Sequence, residues 1–277
     1  MGAVLMDSTN IRERFSVELF PTGIITIAVT AGSALLFDTV VSWALAAVLG
    51  VFIQPFAFLV TLGVVAIGAH ARWGLSLGVL LSGIIAGDWS GGVASGLAVF
   101  IAAVVGSQLW VSDHENLVWY RWLTHYGFVA LVSTLTLAAA TAWLADAFNI
   151  ALFSIVVSQS FTANLVFALL GAPVAWAVAD IGRRWGELRP PRAISMSERL
   201  LALGILSLWI IGGYVGSFLY QAAYTVPIEL FGRRLGDSVE SVVRLGGPQG
   251  QYAVFLLGVI ALVALFTALR SELDSSN

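Results

Sequence analysis

Between positions 20 and 269 the chain is a succession of apolar stretches, most of them close to the length a helix needs to cross a bilayer. A helix rises ~1.5 Å per residue, so ~20 apolar residues cover the hydrocarbon layer. Stretches 20–37, 40–69, 73–87, 91–110, 126–145, 151–179, 199–220 and 251–269 approach or exceed that length. Only 10% of the residues are charged and 59% are hydrophobic, where a soluble domain carries roughly 25% charged residues to cover its surface. Lipid therefore solvates most of this polypeptide. The expected fold is all-α: a polytopic transmembrane helical bundle of about eight spans.

Arginine sets the orientation, because basic residues stay on the cytoplasmic side. All 13 basic residues are arginine, and Arg183, Arg184, Arg189, Arg192 and Arg199 crowd the link between the sixth and seventh spans. With that link inside, eight alternating spans leave only Arg233, Arg234 and Arg244 outside, and both termini are cytoplasmic. The expected organisation is a cytoplasmic amphipathic segment at 1–19, a glycine-rich six-span core at 20–185, a basic linker at 186–198, and a two-span unit at 199–277. Asp7, Arg12, Glu13 and Arg14 interrupt the first segment, which reads as retained rather than as a cleavable signal. Pro190-Pro191 ends one unit, and Ser195-x-x-Glu198 is a capping box that opens the next helix. Within 225–250, Ile228, Phe231, Leu235, Val239 and Val242 recur at helical spacing with opposite charges at i,i+4, which predicts an amphipathic helix on the outer side. Trp73, Trp89, Trp110, Trp119, Trp122, Trp143 and Trp185 fall near span ends, as an interfacial aromatic belt requires.

Several chemistries are absent. Without cysteine there is no disulfide, iron–sulfur cluster or thiolate site, and without lysine there is no Schiff base. No H-E-x-x-H or phosphate-binding P-loop occurs. His70, His114 and His125 all map to the cytoplasmic side without metal-ligand spacing. An enzyme using His114 and His125 with Asp113 and Glu115 is the weakest of three functional classes. The sequence names no cofactor, and a net charge of -3 gives no reason to expect nucleic acid.

Polar groups at depth mark candidate sites. Asp38, Asp88 and Asp146 all map to outer span ends, where they form an electronegative mouth or simply meet water. Gln54-Pro55 interrupts the second span as a packed kink or a cavity-lining one. Gln159 and Asn164 lie within the sixth. Gly74, Gly78, Gly83 and Gly87 fill the short third span, and Gly91, Gly92 and Gly96 follow it. Such spacing packs helices closely, here spans three and four, or marks a helix broken at a ligand site.

Asn164 in a span leading to Gly171-Ala-Pro173, Trp176 and the basic exit Arg183-Arg184 resembles the last helix of substrate-binding S components of energy-coupling-factor transporters. The 83–96 region is similar to that family's glycine-rich third and fourth helices, and MASE-type membrane sensor domains share such packing. Ala28, Ala31 and Ala34 depart from the family's Ala-x-x-x-Ala coupling pattern, and the last two spans lie outside its six-helix core. The expected function is a small-solute binding or transport component, its pocket open to the outside between spans two, three, five and six and lined by Gln54, Asp88, Asp146 and Asn164, with Asp38 at its mouth; the resemblance implies a coupling subunit as partner. The alternative is a sensor or scaffold that binds another integral membrane protein through spans seven and eight.

Overall fold

The computed structural model describes residues 21–49, 56–67, 71–110, 119–184, 196–225, 229–230, 233–234 and 248–270. Within them the chain is helical apart from short turns and one ribbon. Nine helices are present among the described residues: α1 (Pro21–Leu49), α2 (Phe56–Ile67), α3 (Ala71–Ile85), α4 (Trp89–Leu109), α5 (Trp119–Ala147), α6 (Phe153–Leu170), α7 (Ala172–Arg184), α8 (Met196–Thr225) and α9 (Pro248–Arg270). Six contain segments long and apolar enough to cross a membrane: Ile24–Ser42, Trp89–Leu109, Trp119–Ala147, Phe153–Leu170, Met196–Leu219 and Gly250–Leu269. Large apolar side chains face outward along these helices, among them Leu36, Leu208 and Ile260. In water such a surface would aggregate; in a bilayer it is the solvated one. The architecture is that of an integral membrane protein.

The expected break between the first two spans does not exist. α1 runs unbroken through Asp38-Thr39 to Leu49, so residues 40–49 extend the first helix instead of starting a second. Asp38 does not mark an interface: it is 6% exposed and accepts from Ser42 Oγ. The second element is α2, only 12 residues, or ~18 Å of helix. It starts directly after Pro55, at a helix opening where a missing N–H is tolerated. Gln54 and Pro55 themselves lie outside the described residues, as do His70, His114 and Trp185.

The expected sixth span is divided as well. α6 ends at Leu170 and α7 starts at Ala172, with Gly171 between them. Pro173 has no N–H to continue the ladder, and a Cβ on Gly171 would strike the Phe58 ring of α2.

Small residues set the helix order. Gly74 of α3 abuts Ile27 and Thr30 of α1, and Gly78 abuts Ala31 and Ala34. Contact numbers rise together along both helices, so α1 and α3 run parallel. On another side of α3, Gly83 abuts Gly92 of α4, while Ser76 Oγ donates to the Gly96 carbonyl at 2.8 Å. Here the numbers run in opposite senses, so α3 and α4 are antiparallel. The glycine-rich third span thus packs on two neighbours rather than on the fourth alone.

α5 is the central helix, with 78% of its apolar window buried against 22–56% for the other long helices. Its turns of alanine (Ala138, Ala139, Ala140, Ala142) let neighbours approach on several sides. Two tryptophans expected in the interfacial belt, Trp122 and Trp143, are instead packed inside at 4% and 8% exposure. Trp122 stacks on Tyr126 and meets Trp176 of α7 edge-on. Trp143 donates its indole N–H to the Phe255 carbonyl of α9 at 3.0 Å and lies against Gly258. Trp73, Trp89 and Trp119 remain exposed near helix ends, as a belt requires.

α8 and α9 form an antiparallel pair docked on α5 and α6. Gly212 and Gly216 of α8 face Leu257 and Val254 of α9, and Gly213 takes the Phe153 ring of α6. The Arg199 guanidinium lies 5.4 Å over Phe128 of α5. α8 begins at Met196, one residue after the serine of the expected capping box. Between α8 and α9, Glu229–Leu230 (β1) pairs antiparallel with Arg233–Arg234 (β2), with Glu229 opposite Arg234. A ribbon therefore replaces the first part of the amphipathic helix expected over 225–250. Residues 235–247 lie outside the described ones.

Two substitutions test the close approaches. Gly78→Val and Gly83→Val each push a branched side chain into a neighbouring backbone. Each is expected to lower stability by about 1–3 kcal/mol in thermal unfolding of the detergent-solubilised protein. Gly127 of α5 has open space around it, so Gly127→Ala should be neutral or gain about 0.5–1 kcal/mol. Equal stability of Gly83→Val and the parent would refute the α3–α4 contact.

Candidate functional site

The α1–α3 contact continues one turn beyond its glycines. Thr30, Ala34 and Asp38 repeat every four residues on α1; Gly74, Gly78 and Ser82 do so on α3. Residues four apart share a helix face, and in this parallel register Asp38 falls opposite Ser82. The first two pairs are close-packed. The third sets the Asp38 carboxylate opposite the Ser82 hydroxyl, and both line one cavity; Ser42 Oγ, one turn along α1, donates to Asp38 Oδ1 at 3.2 Å. Asp38 lies inside the segment Ile24–Ser42 that is long enough to cross the membrane. A carboxylate there is costly unless its oxygens are supplied with donors, and Ser42 supplies one.

Asp88 occupies the turn between α3 and α4. Gly87 takes φ +81, a left-handed conformation glycine adopts without strain, and the Asp88 N–H donates to the Gly83 carbonyl at 2.9 Å. Asp88 then N-caps α4: Oδ1 accepts from the Gly91 N–H at 2.9 Å and from Ser90 Oγ at 3.1 Å. A carboxylate also suits the positive end of the α4 dipole.

These two aspartates line one cavity of about 510 Å³. Phe56, the first residue of α2, closes one side, and Ser82, Gly92 and Ser95 contribute from α3 and α4. The small residues leave the space open, and exposed Ile85, Ala86 and Asp88 form its rim. The surface is mixed: two carboxylates, the hydroxyls of Thr39, Ser82 and Ser95, an aromatic ring and aliphatic walls. A volume in this range accommodates a small organic molecule.

The chain matches no protein-family model, no curated protein and no solved structure in the comparisons made with each. The site's chemistry therefore has to be read from its own residues.

The other residues singled out in the sequence lie elsewhere. Asn164 of α6 is 4% exposed, and its amide is occupied. Its Oδ1 accepts from the Ala57 N–H at 2.9 Å, and its Nδ2 donates to the Ser160 carbonyl at 2.8 Å. Ala57 is in the first turn of α2, where backbone N–H groups have no helical partner. Asn164 thus caps α2 from another helix. Asp146, 3% exposed, sits near the end of α5, where its carbonyl accepts from Gln251 Nε2 of α9 at 2.5 Å. Gln251 also donates to Asn149 Oδ1 at 2.9 Å, so this polar group joins α9 to α5. Gln159 is exposed on α6. His125 packs against the Trp110 ring at 5.3 Å. No group of three or more metal-ligating side chains occurs among the described residues.

The residues missed in the sequence are Phe56, Ser82 and Ser95. Ser82 carried a usable signal, lying four residues after Gly78 on the same small-residue stripe.

Asn164→Ala leaves the Ala57 N–H without its acceptor at a buried position. The expected loss is about 1–3 kcal/mol in thermal unfolding. Asn164→Asp retains the acceptor and should lose less. Equal stability of Asn164→Ala and the parent would show that α2 does not depend on this cap.

Proposed function

We propose that the chain is a multi-pass protein of the cell membrane that binds a small solute in the cavity between α1, α3 and α4, as a binding or transport component. The observation that carries this reading is the cavity itself. A buried carboxylate and three hydroxyls converge on an open space inside a membrane bundle, where polar side chains are expensive unless they serve a purpose. The S-component-like stretch from Phe161 to Arg184 points to the same class.

In this reading the chain crosses eight times, with α2 and α3 as the short crossings and α6 and α7 sharing one. Two features support that count. Helix directions alternate from α1 to α6 in the contacts between neighbours, and Arg183 and Arg184 at the end of α7 belong to the basic linker. Both termini are then cytoplasmic, and the cavity opens to the outside at the α3–α4 turn.

The test is to purify the full chain in native lipid nanodiscs and identify bound small molecules by mass spectrometry. Ser95→Leu fills the cavity without touching either carboxylate, and should lose the bound solute while thermal unfolding stays cooperative. A solute retained by Ser95→Leu would contradict the site. A stoichiometric membrane protein in place of any solute, lost on deletion of residues 195–277, would favour a sensor or scaffold.

A further inference from the structure

We infer that the solute is a small organic monocation, carrying an ammonium or guanidinium group, and that Asp38 is its counter-charge. This rests on the solute-binding reading above and names the ligand's chemistry. Asp38 is 6% exposed within a membrane-crossing segment, yet the donor that reaches it, Ser42, is neutral. A carboxylate accepts about four hydrogen bonds, so acceptor capacity remains. Among the described residues, the lining on α1 to α4 contributes two acids and no base. Asp88 spends its Oδ1 on the α4 cap but adds charge of the same sign. An anion is therefore repelled, and a neutral solute leaves the Asp38 charge uncompensated at depth.

Size and shape then choose among cations. A divalent metal needs several charged or strongly donating ligands, and no cluster of three such side chains exists among the described residues. The cavity of about 510 Å³ is far larger than a bare ion requires. Phe56 offers the aromatic surface on which organic cations sit well. The hydroxyls of Thr39 and Ser95 can accept from an N–H or line an alkyl group.

The test uses the full chain in nanodiscs and isothermal titration with matched probes. Tetramethylammonium and guanidinium carry the charge; tert-butanol and urea reproduce their shapes without it. Sodium and magnesium serve as inorganic competitors. At least one organic cation should bind, and its neutral partner should not. Asp38→Asn should weaken binding ~30-fold or more, the effect of removing one partner of a buried charge pair. Ser95→Leu, which leaves Asp38 in place, should abolish binding of the same cation, so the outcome does not hang on whether Asp38→Asn folds. Equal binding of urea or tert-butanol, undiminished cation binding by a folded Asp38→Asn protein, or displacement of the organic cation by sodium or magnesium at equal concentration would each overturn the inference. A neutral solute found by mass spectrometry would overturn it while leaving the solute-binding reading intact. Absence of both a co-purifying solute and cation binding would remove both.

Discussion

The rest of the structure depends on how closely α3 approaches α1 and α4. In lipid, apolar side chains gain little by leaving the solvent, so helices associate by van der Waals contact and by hydrogen bonds between them. Glycine permits both. Gly74 and Gly78 bring the α1 backbone against α3, and Gly83 meets Gly92 of α4. At that separation Ser76 reaches the Gly96 carbonyl, and Ser82 lines the same cavity as Asp38. The same contacts that hold the helices together therefore bring a polar pair inward. The cavity opens where the stripe changes from glycine to serine and aspartate.

α2 shows how the remaining space is filled. Its 12 residues make ~18 Å of helix against a ~30 Å hydrocarbon layer, and its first turn is buried in the bundle, with Phe56 5% and Ala57 0% exposed. Backbone N–H groups at that depth need acceptors from protein. Asn164 supplies one from α6, and Phe56 beside it faces the cavity. The short helix thus creates both a cost and an opening: its N-terminus must be capped from elsewhere, and the volume it does not occupy lies beside Asp38.

Much of the architecture was legible before any coordinates. Apolar runs between turn-formers locate α3, α4, α8 and α9 to within about five residues, because in lipid the length of an apolar run is itself the constraint. The first boundary failed for a specific reason. A charged residue ordinarily marks the place where a span meets water, whereas Asp38 is buried within α1 and accepts from Ser42 one turn away. Glycine spacing revealed that α3 packs closely, yet a four-residue repeat identifies a face and not its partner. Of four glycines in that run, two face α1, one faces α4 and Gly87 makes the turn. Asn164 stood out as polar at depth, but its partner Ala57 is 107 residues away, and no local pattern predicts such a pairing. In the segment after α8, opposite charges at i,i+4 suggested a helix where a two-residue ribbon also brings Glu229 opposite Arg234. Asp38 and Asp88 were expected to share a mouth and do line one cavity, while Asp146 and Asn164 serve helix junctions.

The parallel pairing of α1 with α3 is the contact from which the position of Asp38 follows, and spin-label distances measure it directly. The chain has no cysteine, so paired labels can be placed without background at the exposed positions Ile24 and Val40 of α1 and Trp73 and Ile85 of α3. Pulsed dipolar spectroscopy in nanodiscs should give the shorter distances for 24/73 and 40/85, and clearly longer ones for 24/85 and 40/73, whose offsets along the helix axes are roughly 25 and 16 Å from ~1.5 Å of rise per residue. The reverse order, with 24/85 and 40/73 the shorter pairs, would place Asp38 away from Ser82 and contradict the account.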